Sequence, residues 1–315
     1  VPTGGWQTLS HNPDAVPVEV PGTVEEYLTV TDNPRPENFR GVSWWYRKIT
    51  IPADQQKKRF IIYFESVRMR AEVYLDGKLV AYDLIGETPF HVDITDEAKP
   101  GKEQLLAIRV TNPGGNFHWQ DFDIMKWGEY NIPPSRSFTG IIGRVKLESV
   151  NPVFISDIYM QNTPELTKVN AILSFTNETS SSVKQDVELI VNEKGNPDKV
   201  VFRQTLKAIS FPAGNHEVTI PVNVPDAKLW DLSTPELYTC NVLIKKGKKT
   251  LDQDKKDFGF RWFTVDGVGK DAVLRLNGRR IMLRSAISWG YFPVTGLIAT
   301  TEMAEKQVRT AKSLG

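Results

Sequence analysis

Hydrophobic and polar residues alternate along much of the first 150 positions, which is the pattern of half-buried antiparallel strands. Ala71, Val73 and Leu75 share one phase of this alternation, and Asp76-Gly77, a strong signal for a two-residue type I′ hairpin turn, follows directly. Clusters of proline, glycine and asparagine separate this stretch from similar ones. Residues 1–150 are therefore predicted to form an all-β sandwich with one long irregular loop, from about residue 112 to residue 137.

A second region with the same two-residue period begins after Asn151-Pro152. Its apolar positions form four sets, each with one face: Val169, Ala171, Leu173 and Phe175; Val187, Leu189 and Val191; Val218, Ile220, Val222 and Val224; and Tyr238, Cys240, Val242 and Ile244. Strands at this spacing within about 110 residues are typical of small sandwiches. We predict an immunoglobulin-like β-sandwich over residues 151–262.

The last region, residues 263–315, opens with a hairpin and continues with a strand, a loop and a helix. Asn277-Gly278 predicts a second hairpin, Ile281–Arg284 a short buried strand, and Thr301–Leu314 a helix whose apolar residues fall on one stripe. A parallel strand that is buried on both faces needs neighbours on either side. Another chain could supply them, but we expect instead that this sequence is the front part of a longer protein.

Composition excludes several functional classes. Lysine and arginine (39) balance aspartate and glutamate (38), so no strong field favours nucleic acid or an anionic membrane. No apolar run reaches the ~18 residues of a membrane span, and the first residues lack the features of a signal peptide. The single cysteine, Cys240, is predicted to be a buried structural thiol, and the four scattered histidines predict no metal site. No cofactor signature is present.

Six segments in a fixed order resemble glycoside hydrolase family 2, the β-galactosidase, β-glucuronidase and β-mannosidase group. They cover residues 40 to 285: Trp44-Trp45-Tyr46-Arg47-Lys48; Phe64-Glu65-Ser66-Val67 through Ala71-Glu72-Val73-Tyr74-Leu75-Asp76-Gly77; Ser137-Phe138-Thr139-Gly140-Ile141; Leu229-Trp230 with Pro235, Leu237 and Tyr238; Phe258-Gly259-Phe260-Arg261; and Leu276-Asn277-Gly278 with Leu283-Arg284. The resemblance implies a mainly β chain. It would contain a jelly-roll (galactose-binding-like) sandwich, an immunoglobulin-like sandwich and the first strand–helix unit of a (β/α)8 TIM barrel.

The resemblance also implies chemistry: the complete protein would hydrolyse O-glycosidic bonds with retention, using a nucleophile and an acid/base carboxyl about 5–5.5 Å apart. In the family these glutamates lie later in the barrel, so we expect no catalytic residue in this chain and no activity from it alone. The family's "R-G-x-N" run is replaced by Arg284-Ser285-Ala286-Ile287-Ser288, which departs from β-galactosidase-type specificity. The consecutive Glu25-Glu26, and Asp252 with Asp254, are interpreted as solvated surface charge.

Two groups of residues are candidates for substrate binding. Trp119, Asp121, Asp123 and Trp127 lie in the long loop, where aromatic rings alternate with acidic and amide groups. Rings cover the apolar face of a pyranose and carboxylates accept its hydroxyl groups; alternatively, these rings pack the jelly roll against the barrel. Trp289 and Tyr291 follow the predicted first barrel strand at its C-terminal end, where barrel active sites form. Loop packing is the alternative for this pair too.

Two other functions remain open from the sequence: a stand-alone carbohydrate-binding module and a structural spacer, both without catalysis. The predicted strand and helix after Asn277 discriminate between the hydrolase and these two alternatives, because neither alternative needs them. The expected partner is carbohydrate, as an oligosaccharide or glycoside, and the sequence leaves the oligomeric state open. The resemblance implies a periplasmic or secreted location.

Overall fold

The computed structural model describes residues 15–24, 27, 41–86, 88–112, 126–127, 130–131, 139–285 and 301–314. The chain divides into two compact units, Val1–Ser149 with Ala286–Gly315, and Val150–Ser285. Among the described residues, no helix has the length and apolar character that crossing a bilayer requires.

The first unit is built from short and medium antiparallel strands. In chain order they are β1 (Gly22–Thr23), β2 (Gly41–Thr50), β3 (Arg59–Phe64), β4 (Arg70–Leu75), β5 (Lys78–Asp83), β6 (Phe90–Asp93), β7 (Glu103–Asn112), β8 (Lys126–Trp127), β9 (Tyr130–Asn131), β10 (Gly140–Ile141) and β11 (Val145–Val150). One sheet has the order β2-β7-β4-β5 and another β11-β3-β6. Pairs β1–β10 and β8–β9 form two small sheets.

The core of the first unit lies between its two larger sheets. Phe60, Ile62 and Phe64 on β3 are buried with Ala71 and Val73 on β4, in one hydrophobic cluster. These residues occupy every second position of their strands, so the two-residue period places them all on the inner face. This cluster confirms the sandwich that the alternation predicts.

The second unit contains three further sheets. Its strands are β12 (Val153–Asn162), β13 (Lys168–Asn177), β14 (Val183–Glu193), β15 (Val200–Phe211), β16 (Gly214–Asn223), β17 (Tyr238–Lys246), β18 (Lys249–Phe258), β19 (Phe263–Asp266), β20 (Val273–Leu276) and β21 (Arg279–Arg280). Sheets β12-β13-β16 and β15-β14-β17-β18 enclose one core, and β19-β20-β21 form a third, smaller sheet. Cys240 is fully buried in that core, as predicted.

Both predicted hairpins are confirmed. Asp76 and Asn277 have φ angles of 47° and 51°, and the glycines that follow them have 82° and 80°. Positive φ at both central positions is the type I′ conformation, which matches the twist of the flanking strands. Asparagine and aspartate tolerate this conformation better than other residues with side chains, which explains why the dipeptides predict the turns.

The predicted buried strand at Ile281–Arg284 is wrong. Strand β21 covers Arg279–Arg280 only, and residues 281–285 belong to no strand. Met282 and Leu283 are 76% and 61% exposed. Strands are defined by backbone pairing, and the structure assigns none of residues 281–285 to a strand. The Ile281 amide donates to the Leu274 carbonyl oxygen at 2.9 Å, one position beyond β21. The start of a barrel is therefore not shown.

The predicted terminal helix is confirmed as α1 (Thr301–Ser313). None of its residues is buried, and Val308 is 57% exposed. The described part of the chain is mainly β, with a jelly-roll sandwich followed by an immunoglobulin-like sandwich.

Candidate functional site

Most of the predicted substrate-binding residues lie outside the described residues: Trp119, Asp121, Asp123, Trp289 and Tyr291. Trp127 is described only by its backbone, which lies in β8 and pairs with Tyr130 of β9. The structure therefore brings none of these side chains together, and their role stays a prediction. It does define where the segment that carries most of them joins the fold.

Both ends of the segment 113–138 join the first unit beside the start of β4. Strand β7 leads into it, with Thr111 opposite Arg70. After it, Gly140 forms two backbone hydrogen bonds with Arg68, each 2.8 Å between nitrogen and oxygen. Gly140 also pairs with Thr23 of β1. We call the group Thr23, Arg68, Thr111 and Gly140 the loop-bearing end.

Close backbone packing holds this end together. A Cβ atom on Gly140 would lie 2.3 Å from the carbonyl oxygen of Gly22, so only glycine lets β10 approach β1. Thr23 and Thr139 are fully buried beside it. The strands that flank the candidate loop are therefore fixed by packing, which is what a loop-borne binding site needs from its scaffold.

Arg68 is a residue of this end that the sequence analysis missed. It is only 8% exposed, whereas Arg70, two positions later, is exposed. A buried guanidinium requires hydrogen-bonding partners. Alternation would place both arginines on the solvent face, but β4 begins at Arg70, so Arg68 precedes the strand. The backbone bonds to Gly140, which join positions 72 residues apart, have no local signal in the sequence.

Two carboxyl groups, Glu65 and Glu188, serve as ion-pair partners. Arg144 donates to Glu65 from both its guanidinium (3.0 Å) and its backbone amide (3.0 Å), and these bonds lower the pKa of Glu65. A hydrogen bond from Lys245 likewise lowers the pKa of Glu188. A glycosidase general acid needs a raised pKa, so neither carboxyl suits that role.

The interpretation of Asp252 as solvated surface charge is wrong. It lies within β18 rather than in a turn, and its carboxylate accepts a hydrogen bond of 2.8 Å from the Ile155 amide. This bond ties β18 to the start of β12, so the role of Asp252 is structural. Within the described ranges, no three histidine, cysteine or acidic side chains are grouped so that they could hold a metal ion.

Comparison with known proteins gives matches to two family models. The model described as "Glycosyl hydrolases family 2, sugar binding domain" matches residues 12–132, and "Glycosyl hydrolases family 2" matches residues 153–261. A β-glucuronidase of Formosa agariphila is 26% identical over 81% of this chain and 26% of its own length. A β-galactosidase of Thermoanaerobacterium thermosulfurigenes is 26% identical over 84% of this chain and 35% of its own length.

Solved structures agree on the fold. A family 2 glycosyl hydrolase from Bacteroides cellulosilyticus superimposes with a TM-score of 0.76 at 21% identity, covering 95% of this chain and 39% of that protein. The Parabacteroides merdae β-glucuronidase gives 0.75 at 22% identity, covering 100% and 39%. The chain spans about a quarter to a third of the length of the curated relatives cited above. With both of its sandwiches matched in order by that family's models, the chain belongs to glycosyl hydrolase family 2.

Proposed function

We propose that this chain is the N-terminal, non-catalytic portion of a retaining glycoside hydrolase that cleaves O-glycosidic bonds in carbohydrates. The observation that carries the proposal is the order of the two matched models, sugar-binding domain and then second sandwich. Relatives that the chain matches are named β-glucuronidase and β-galactosidase. The chain corresponds to a minor part of the length of each relative. The catalytic glutamates are proposed to lie outside this chain.

We propose three functional regions within the chain: a jelly roll over residues 1–150, an immunoglobulin-like sandwich over 151–262, and the start of a catalytic barrel over 263–315. Exposed apolar side chains support the third region. Phe263, Val265, Met282 and Leu283 are all at least 47% exposed. Exposed apolar surface of this kind is typical of a face that packs against further protein, and neither a lone binding module nor a spacer accounts for it.

The proposed role of the loop-bearing end is to present substrate-binding residues to the barrel. Trp119, Asp121, Asp123 and Trp127 belong to the segment that begins and ends there, and Trp289 and Tyr291 are proposed to approach the same sugar from the barrel side. Buried Arg68 would act as a positioning residue for that segment, since its backbone is bonded to Gly140 at the segment's return.

Activity measurements test this proposal directly. The purified chain should release no nitrophenol from nitrophenyl β-glucuronides or β-galactosides, whereas a longer protein that contains it should turn over at least one of them with retention. The longer protein should lose substrate affinity in Trp119→Ala and Asp121→Ala variants, while Tyr159→Ala, on an exposed strand position of the second unit, should match the wild type. Turnover by the chain alone, or inversion at the anomeric carbon, would contradict the proposal.

A further inference from the structure

An uncommon row of side chains crosses the outer face of the β2-β7-β4-β5 sheet. Trp44 lies opposite Arg109, Arg109 opposite Glu72, and Glu72 opposite Tyr82. Directly opposed residues of antiparallel strands point to the same face, and the neighbouring residues Trp45, Val73 and Ile108 point into the core. The row therefore places one aromatic ring at each end and a charged pair in the middle.

The charged pair is well formed and partly accessible. The Arg109 guanidinium donates to the Glu72 carboxylate at 2.9 Å, and their side chains are 24% and 26% exposed. The Tyr74 hydroxyl, from the next row, donates to the same Glu72 oxygen at 3.3 Å. The pair therefore offers hydrogen-bond donors and acceptors at the surface without net charge.

The rings on either side have enough surface to bind a ligand. Tyr82 is 65% exposed at the edge strand β5. Trp44 is half-buried, and its ring lies 5.6 Å from the Tyr74 ring at an angle of 49°, which supports it from one side. An outer sheet face in water is ordinarily polar. Here Trp44 packs against Tyr74, which is only 4% exposed, whereas Tyr82 at the other end of the polar pair is largely exposed.

The spacing fits an extended ligand. Trp44 and Tyr82 are three strand intervals apart, which corresponds to about 14 Å between their backbones. That is the length of a short oligosaccharide, whose sugar faces stack on rings and whose hydroxyl groups bond to carboxylate and guanidinium. An anionic ligand is disfavoured because the Arg109 guanidinium is already paired with the Glu72 carboxylate. A purely apolar partner is disfavoured because it would bury this charged pair, which costs desolvation free energy.

We propose that the row Trp44, Arg109, Glu72 and Tyr82 is a carbohydrate-binding surface for a neutral glycan chain, separate from the loop-bearing end. It lies on strands rather than loops, so its rings are held at fixed spacing before the ligand arrives. The surface would hold a polysaccharide, and hydrolysis is not part of its role. It does not depend on the hydrolase proposal, because binding can be measured on the chain alone.

Affinity electrophoresis of the 315-residue chain tests the surface. The probes are soluble galactomannan, arabinoxylan and mixed-linkage β-glucan, with polygalacturonate as the anionic comparison. At least one neutral polysaccharide should retard the chain, and Tyr82→Ala should weaken the interaction about tenfold, which is the loss expected for one stacked ring. Tyr159→Ala, which removes a ring 54% exposed in the second unit, is the matched control and should bind like the wild type.

Two further variants separate folding from binding. Trp44→Ala removes the other aromatic ring, and the melting temperature of this variant shows whether the sheet is intact. Glu72→Gln keeps the shape of the side chain but replaces the carboxylate with an amide. Both should weaken retardation while circular dichroism stays native. Because the proposed ligand is neutral, raising NaCl to about 0.5 M should leave the wild-type affinity nearly unchanged.

Several outcomes would overturn the proposal. They are no retardation by any neutral polysaccharide, retardation that persists in both Trp44→Ala and Tyr82→Ala, or binding to polygalacturonate only. Sedimentation that shows a dimer lost in Tyr82→Ala, without any glycan effect, would instead assign this face to contact between copies of the chain.

Discussion

Asn277 offers a stringent test of how the β20–β21 hairpin is attached to the second unit. Its side-chain amide donates to the Trp230 carbonyl oxygen at 2.9 Å, and its side-chain oxygen accepts from the Trp262 amide at 2.9 Å. Its φ angle of 51° is in the left-handed region. One residue therefore combines an unusual backbone conformation with two hydrogen bonds to separate segments.

Three substitutions separate these contributions. Asn277→Gly keeps the left-handed backbone and removes both side-chain bonds, which should cost about 2 kcal/mol at about 1 kcal/mol each. Gly278→Ala removes no contact, since no atom lies within 4 Å of the added Cβ, and forces alanine to a φ of 80° at about 1 kcal/mol. Asn277→Ala combines both effects, so its free energy of unfolding should fall by about 3 kcal/mol.

Two measurements check this ranking. Urea unfolding followed by tryptophan fluorescence gives the stability of each variant, and hydrogen exchange at the Trp262 amide reports the local bond that Asn277 accepts. Exchange at Trp262 should be faster in Asn277→Gly and unchanged in Gly278→Ala. If Asn277→Gly were as stable as the wild type, with Trp262 equally protected, the side-chain bridge would carry no stability and the reasoning would be refuted.

Three more substitutions probe other parts of the fold. Burial raises the pKa of Cys240 to about 12; the unfolded thiol ionises first, so stability should fall from about pH 9 upward, and Cys240→Val should flatten that slope in urea titrations. Glu188 lies between Arg203 and Lys245, and the Lys245 hydrogen bond lowers its pKa; its stabilisation should be lost as pH falls through that lowered pKa. Glu188→Gln should cost about 2 kcal/mol at neutral pH and weaken the acid dependence. Gly140→Ala should push β10 from β1 and lower the melting temperature, detectable by calorimetry.

Local signals in the sequence were sufficient to predict much of the sheet structure. The period of two at Val169, Ala171 and Leu173 predicts a buried face because alternate side chains of a strand point the same way, and all three are at most 1% exposed. The turn at Asn277-Gly278 follows from backbone sterics alone. These features need no information about distant parts of the chain.

Features that depend on distant partners could not be predicted. Ile281–Arg284 has the composition of a buried strand, but strand formation depends on pairing with distant segments, and the structure assigns residues 281–285 to no strand. The row from Trp44 to Tyr82 is set by the order and register of four strands, and neither is encoded near any one of its members. The backbone hydrogen bonds between Arg68 and Gly140 join positions 72 residues apart.

The two carbohydrate contacts proposed for the first unit differ in how they are held, and this difference predicts how they tolerate change. The sheet row is fixed by backbone pairing on both sides of Arg109, so substituting one ring should remove its own stacking energy and leave the remaining groups in place. Residues near Trp119 belong to a segment whose fold attachment runs through Gly140 and Arg68. A substitution at that attachment should alter several loop contacts together. Glycan binding should therefore survive Gly140→Ala at the sheet row, while substrate affinity of the longer protein should not.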